Sequence, residues 1–183
     1  MSWLEITLLV LAGAGAAFLL WRLVVAARFY LKLRGERLVT CPETQKPEAV
    51  KVAAAELAVR RFVGLPELRL EDCSRWPERE GCGQDCLREV EADPEACAVW
   101  KIVNTWYAGK KCDYCGKAFG EIHWHDHRPA LLDPERRTVQ WTQVAAEKLP
   151  EVFSTHWPVC WNCHITESFR REHPELVTPR PRH

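Results

Sequence analysis

The chain carries Cys112-Asp113-Tyr114-Cys115-Gly116-Lys117 and, further on, Cys160-Trp161-Asn162-Cys163-His164. Two residues between paired cysteines bend the backbone so that both sulfurs face one way, and two such turns supply the four thiolates of a tetrahedral metal shell. Gly116 suits the left-handed conformation that lets backbone amides approach the sulfurs. Cys112, Cys115, Cys160 and Cys163 are therefore read as the ligands of one structural metal. Zinc stands ahead of iron because nothing in the spacing asks for iron, and an iron-sulfur centre at the same thiols is the redox alternative.

The paired turns resemble a zinc-ribbon or treble-clef module over residues 112–170. Taken together with Asp126-His127-Arg128-Pro129, the same region resembles the layout of zinc-stabilised HNH nucleases. That resemblance implies His127 as general base on water, with Asp126 and His164 holding a divalent ion on a phosphate. The chain departs from the family pattern in having no asparagine between Pro129 and Cys160, and Ile165-Thr166-Glu167 where a basic residue is expected. Cys160-x-x-Cys163-His164 also matches the attachment pattern of c-type haem, with His156, His123, His125 or His127 as the second axial ligand. The preferred reading is a module for interaction or assembly rather than for chemistry.

Nine cysteines in 183 residues exceed what a reduced enzyme needs, and an odd number leaves a thiol outside any all-disulfide scheme. Upstream lie Cys41, Cys73, Cys82, Cys86 and Cys97, with no single spacing that names a metal. Cys82 and Cys86 are read on one face of a short helix that runs through Val90. The first four offer a second four-cysteine metal site, with buried thiols used as small apolar residues as the equal alternative. Cys97, in the first turn of the next helix, is left out.

The N-terminus sets the second expectation. From Ile6 to Ala27 only Thr7 and Arg22 interrupt an apolar run, long enough to cross a hydrocarbon core of about 30 Å. Trp3 at one end and Trp21, Phe29 and Tyr30 at the other suit the headgroup level, and Arg22 is near enough to snorkel. The run lacks a basic n-region and continues past Ala-Gly-Ala, so it reads as a retained single-pass anchor in the bilayer. Arg28, Lys32, Arg34 and Arg37 follow the span while only Glu5 precedes it, which places the C-terminal part in the cytoplasm, where thiolates stay reduced. The small-residue patch Ala12–Ala17 offers a face for another membrane protein. With 25 basic and 25 acidic residues the chain has no net field to draw nucleic acid.

Between these landmarks the expected fold is α+β: a single transmembrane helix, then a small metal-stapled domain of short strands and helices. Residues 1–30 are the anchor, 31–110 a basic juxtamembrane and cysteine-containing region, 111–175 the double-knuckle module and 176–183 a flexible tail. Cys41-Pro42-Glu43-Thr44 reads as a turn, and Ala49–Val52 as a strand or the start of a helix to Phe62 that Gly64 and Pro66 end. Leu68–Leu70 alternates into Cys73, and Trp76-Pro77 with Gly81 marks a loop. Asp93-Pro94-Glu95 opens a core helix carrying Ala98, Val99, Ile102, Val103 and Trp106 on one face, closed by Gly109. Residues 121–127 and Thr138–Trp141 alternate as strands, Thr142 caps a helix toward Leu149, and Thr166–Glu172 is helical. The alternation turns His123, His125 and His127 to the solvated side, with metal binding by the triplet as the alternative. No phosphate loop, Ser-His-Asp set or paired-carboxylate site is present.

Overall fold

A computed structural model describes residues 2–63, 67–79, 81–122, 124 and 126–176, without the side chains of Phe62 and Val63. The chain is α+β and divides between Ala98 and Val99 into two compact units, each with its own sheet. The endings read at Gly64 and Pro66, the tail beyond Leu176, and the side chains of His123 and His125 lie outside the described residues.

Unit 1 begins with helix α1 (Trp3–Leu33), opened by a reciprocal cap in which Ser2 N donates to Glu5 Oε2 (2.9 Å) and Ser2 Oγ accepts from Glu5 N (3.4 Å). The helix is long and apolar enough to cross a membrane. Its side chains are exposed as far as Trp21. From there Arg22, Val25, Ala26, Phe29 and Leu33 are partly or wholly covered, at the three- and four-residue spacing of one helical face. That face packs on helix α2 (Ala54–Val63): the Arg22 guanidinium donates to the Arg61 carbonyl (3.2 Å), and Arg61 sits over the Phe29 ring (5.2 Å). The free apolar stretch Trp3–Trp21 is thus about 28 Å long at about 1.5 Å per residue, matching an apolar slab of about 30 Å.

Three antiparallel strands follow, β1 (Glu36–Thr40), β2 (Pro47–Val52) and β3 (Leu70–Cys73), in that spatial order, with α2 between β2 and β3 and helix α3 (Leu87–Ala92) after them. Val39, Val50, Val52, Leu57, Leu70, Leu87 and Val90 form the core with Leu33 from α1. Ala49–Val52 is strand, with the helix starting only at Ala54. Of the basic residues read after the span, Arg37 falls within β1 and is not solvated: it is 1% exposed. Its guanidinium donates to the carbonyls of Lys32 at the end of α1 (2.6 Å) and of Pro94, joining α1 to the turn before unit 2. Burial lowers its pKa, and a guanidinium stays charged in proteins.

Two helix readings are corrected. Cys82 is not on a helix with Cys86; left-handed Gly81 (φ 86°) and Gln84 (φ 56°) break the chain there, and α3 begins only after Cys86, its N-cap. Asp93 Oδ1 does cap, accepting from Glu95 N (3.1 Å) and Ala96 N (3.0 Å), but the helix it was to open, α4, runs Val99–Tyr107. Arg37 takes the Pro94 carbonyl and Leu38 N takes that of Cys97 (2.8 Å), so these acceptors serve β1 instead of the next helical turn.

Unit 2 contains α4 and a second sheet in which β4 (Ala130–Leu132) lies between β5 (Thr138–Gln140) and β6 (Trp157–Val159), with helices α5 (Leu149–Thr155) and α6 (Trp161–Glu172) flanking β6 in sequence. All three β4 side chains are fully buried, and the buried Tyr107 hydroxyl donates to the Ala130 carbonyl (2.7 Å). Trp106 stacks on Phe153 (4.7 Å) and donates its indole N–H to the Phe153 carbonyl (3.2 Å). The described residues of the strand read at 121–127 are not in a strand, and the Arg128 guanidinium instead takes the Trp124 carbonyl (2.6 Å). The cap read at Thr142 is replaced by a 3-10 turn over Trp141–Gln143, and Pro150, which tolerates only a first helical turn, sets the start of α5 at Leu149. Helix α6 starts at the knuckle itself, five residues before Thr166.

Replacing Arg37 by Met should destabilise unit 1 by about 2–3 kcal/mol, because two carbonyls lose a charged donor. Exposed Arg34→Met should leave it unchanged. Denaturant unfolding of the detergent-solubilised protein reads both, and equal stability of the two variants contradicts the structural role of Arg37.

Candidate metal centre

The Cys112 pair sits on a tight hairpin. Lys111 bridges Ala118, Cys112 N donates to Lys117 O (2.9 Å), and Gly116 N donates to Cys112 O (2.9 Å). Gly116 holds φ 70°, the left-handed turn expected of it. The Cys160 pair sits differently, at the start of α6: Cys160 is the N-cap and Cys163 lies in the first turn. Strand β6 delivers it, and Asp113 N donates to Pro158 O (2.9 Å), tying hairpin to strand.

These constraints bring the four Sγ atoms within 4.8 Å of one another. Cys115 and Cys160 sulfurs are 3.8 Å apart, the edge of a tetrahedron whose metal–sulfur bonds are about 2.3 Å. Burial raises the Cys112 thiol, but the amides of Cys160, Cys115 and Tyr114 outweigh it and bring the pKa down to about 7. The Cys160 N–H···Sγ distance to Cys112 is 3.3 Å. Burial and the neighbouring thiols push Cys163 up, and burial also raises Cys160. Four thiolates this close repel one another, and a divalent cation supplies the charge that lets all four ionise. The donor set therefore fits a soft metal ion held by Cys112, Cys115, Cys160 and Cys163, with the N-terminus of α6 adding a favourable dipole.

His164 follows the last pair but turns away from it. It is 6% exposed, with Nδ1 2.9 Å from Thr138 Oγ1 and Nε2 3.4 Å from Gln140 Nε2. Burial holds its pKa down. Asp126 and His127 are exposed, and the Trp161 ring packs against both His127 (6.4 Å) and His164 (6.0 Å). Among the described residues, the four knuckle cysteines are the group drawn together as potential metal ligands; Asp126, His127 and His164 are not brought into one set.

The upstream cysteines lie in unit 1. Cys41, Cys73, Cys82 and Cys86 line one cavity of about 40 Å³, while Cys97 is buried elsewhere in the core, its Sγ 3.8 Å from the Glu89 carbonyl. Sequence reasoning missed Thr138 and Gln140, the partners of His164; their alternation in β5 was legible, but not which side chain they would meet.

Comparison of the chain with protein-family models, with curated proteins and with solved structures finds no match.

Replacing Cys112 or Cys163 by Ser should abolish the cooperative unfolding of unit 2, since a structural metal ion contributes on the order of 10 kcal/mol in small metal domains. Cys97→Ser should retain it. Thermal melts with and without chelator test this, and a Cys163→Ser protein that melts like the parent, indifferent to chelator, contradicts it.

Proposed function

We propose that this is a single-pass membrane protein whose C-terminal unit is a structural zinc module, treble-clef-like, serving interaction or assembly at the cytoplasmic face of the membrane. The observation that carries the reading is the convergence of four cysteines, one pair on a hairpin and one at a helix N-terminus, around a point of tetrahedral dimensions. That pairing of hairpin and helix start favours a treble clef over a zinc ribbon. Zinc is favoured because four thiolates with no imidazole in the set suit a closed structural site.

The membrane part rests on α1. Its first turns are exposed and apolar, whereas Phe29 and Leu33 pack into the core of unit 1, so the apolar span runs into the domain as one continuous helix. Arg28, Lys32 and Arg34 remain on the exposed side of the helix end and support the cytoplasmic orientation. Gly13 and Gly15 have open space around them, which suits close approach of a second membrane helix along Ala12–Ala17.

Haem attachment at Cys160-x-x-Cys163-His164 would require both thiols and the imidazole together, and His164 instead faces Thr138 and Gln140. A nuclease would require Asp126 and His164 on one ion, and Asp126 is exposed while His164 is buried. The zinc module needs neither change.

Carbonate extraction should leave the full-length protein in the membrane pellet, and protease applied to intact right-side-out cells should spare a C-terminal tag. Release into the supernatant would contradict the anchor, and digestion of the tag would reverse the orientation.

A further inference from the structure

The turn at Cys41 repeats the backbone of the Cys112 knuckle. In the knuckle, Cys112 N donates to Lys117 O and Gly116 N to Cys112 O, with Gly116 at φ 70°. In unit 1, Cys41 N donates to Lys46 O (2.9 Å) and Gln45 N to Cys41 O (2.8 Å), with Gln45 at φ 57°. The two hexapeptides, Cys41-Pro-Glu-Thr-Gln-Lys46 and Cys112-Asp-Tyr-Cys-Gly-Lys117, match in these hydrogen bonds residue for residue. Thr44 stands where the second cysteine would be, and Gln45 accepts a conformation that costs a side-chain-bearing residue. A turn of this shape points backbone amides at a sulfur, which is its use in the knuckle.

We propose a second four-thiolate zinc site, formed by Cys41, Cys73, Cys82 and Cys86 in unit 1, whose sulfurs share one cavity and would close on the ion as it binds, unlike the knuckle cysteines, which are already drawn together. The four come from separate segments: Cys41 from the turn after β1, Cys73 from the end of β3, Cys82 from the loop, and Cys86 from the N-cap of α3. They line one cavity of about 40 Å³, with Val39, Val50 and Leu70 among its apolar lining residues. Arg75 donates to Cys41 Sγ (3.3 Å) and is held by Glu43 (2.7 Å), placing a guanidinium beside a centre that would carry net negative charge. Trp76 lines the same cavity, and its buried indole N–H has no acceptor among the described residues; metal-bound thiolates accept such hydrogen bonds.

The site also answers a structural need. Between β3 and α3 the described residues are turns and irregular backbone, and a segment of that length without regular structure needs a fastening in a small domain. Cys73 begins it, Cys86 ends it and Cys82 lies inside it. A single ion would hold all three to the Cys41 turn.

The test is metal stoichiometry of the full-length protein purified in detergent under reducing conditions. The parent should hold two zinc ions per chain. The double variant Cys73→Ser/Cys86→Ser should hold one, Cys112→Ser/Cys163→Ser should hold one, and Cys97→Ser should keep both. Because a variant can fail by misfolding, the parent is also reconstituted with cobalt(II), where two equivalents should each bring the thiolate-to-metal absorption of an all-sulfur site. One zinc in the parent, retained in the Cys73/Cys86 variant, overturns the proposal, as does a disulfide among these four cysteines in the protein as isolated. One zinc lost with Cys73 and Cys86 but kept without Cys112 and Cys163 supports this site and overturns the centre in unit 2.

Discussion

Four sulfur atoms converging on one point is the constraint from which unit 2 follows. The sheet of that unit has strands of three residues each, too short to stand alone in water, and its apolar interior near the knuckles amounts to Cys112, Leu132 and Val159 with partly buried neighbours. Two knuckles on different kinds of structure lock these pieces together. The hairpin is fixed to β6 through Asp113 and Pro158, β6 pairs with the buried β4, and β6 leads straight into the helix whose first turn carries Cys163. A metal ion would turn that arrangement of weak local elements into one cooperative body, in keeping with the general dependence of small domains on staples.

Unit 1 meets a different problem, the junction between an apolar helix and a small folded domain. The helix does not stop at the expected membrane boundary: its last three turns supply one wall of the core, and α2 runs along them. Arg37 completes the junction by spending a buried charge on two carbonyls that would otherwise lack donors, one at the end of the helix and one at the turn leading out of the unit. A helix joined in this way holds a fixed orientation to the domain, where a flexible linker would not.

Much of this was legible in the sequence because the signals were local. Cysteine spacing named the knuckles, and an uninterrupted apolar run named α1. The misread parts depended on distant partners. Asp93 has every local mark of a helix cap and does cap, but β1 claims the carbonyls the helix would have used. Cys82 and Cys86 have helical spacing, and two left-handed residues between and beside them rule the helix out. Arg37 read as one of several surface basic residues; its alternation with Val39 in Glu36-Arg37-Leu38-Val39-Thr40 placed it on the buried face of a strand, and that signal was available. The Cys41 turn, by contrast, could not be recognised as knuckle-shaped without its hydrogen bonds, since Thr44 conceals the pattern.

Zinc K-edge X-ray absorption of the detergent-purified protein tests the four-thiolate centre most directly. A closed site of this kind predicts a first shell of four sulfurs at about 2.3 Å with no nitrogen or oxygen contribution. A shell containing imidazole nitrogen or oxygen, or protein isolated without zinc, would contradict the centre and with it the role of a metal staple in the fold of the C-terminal unit.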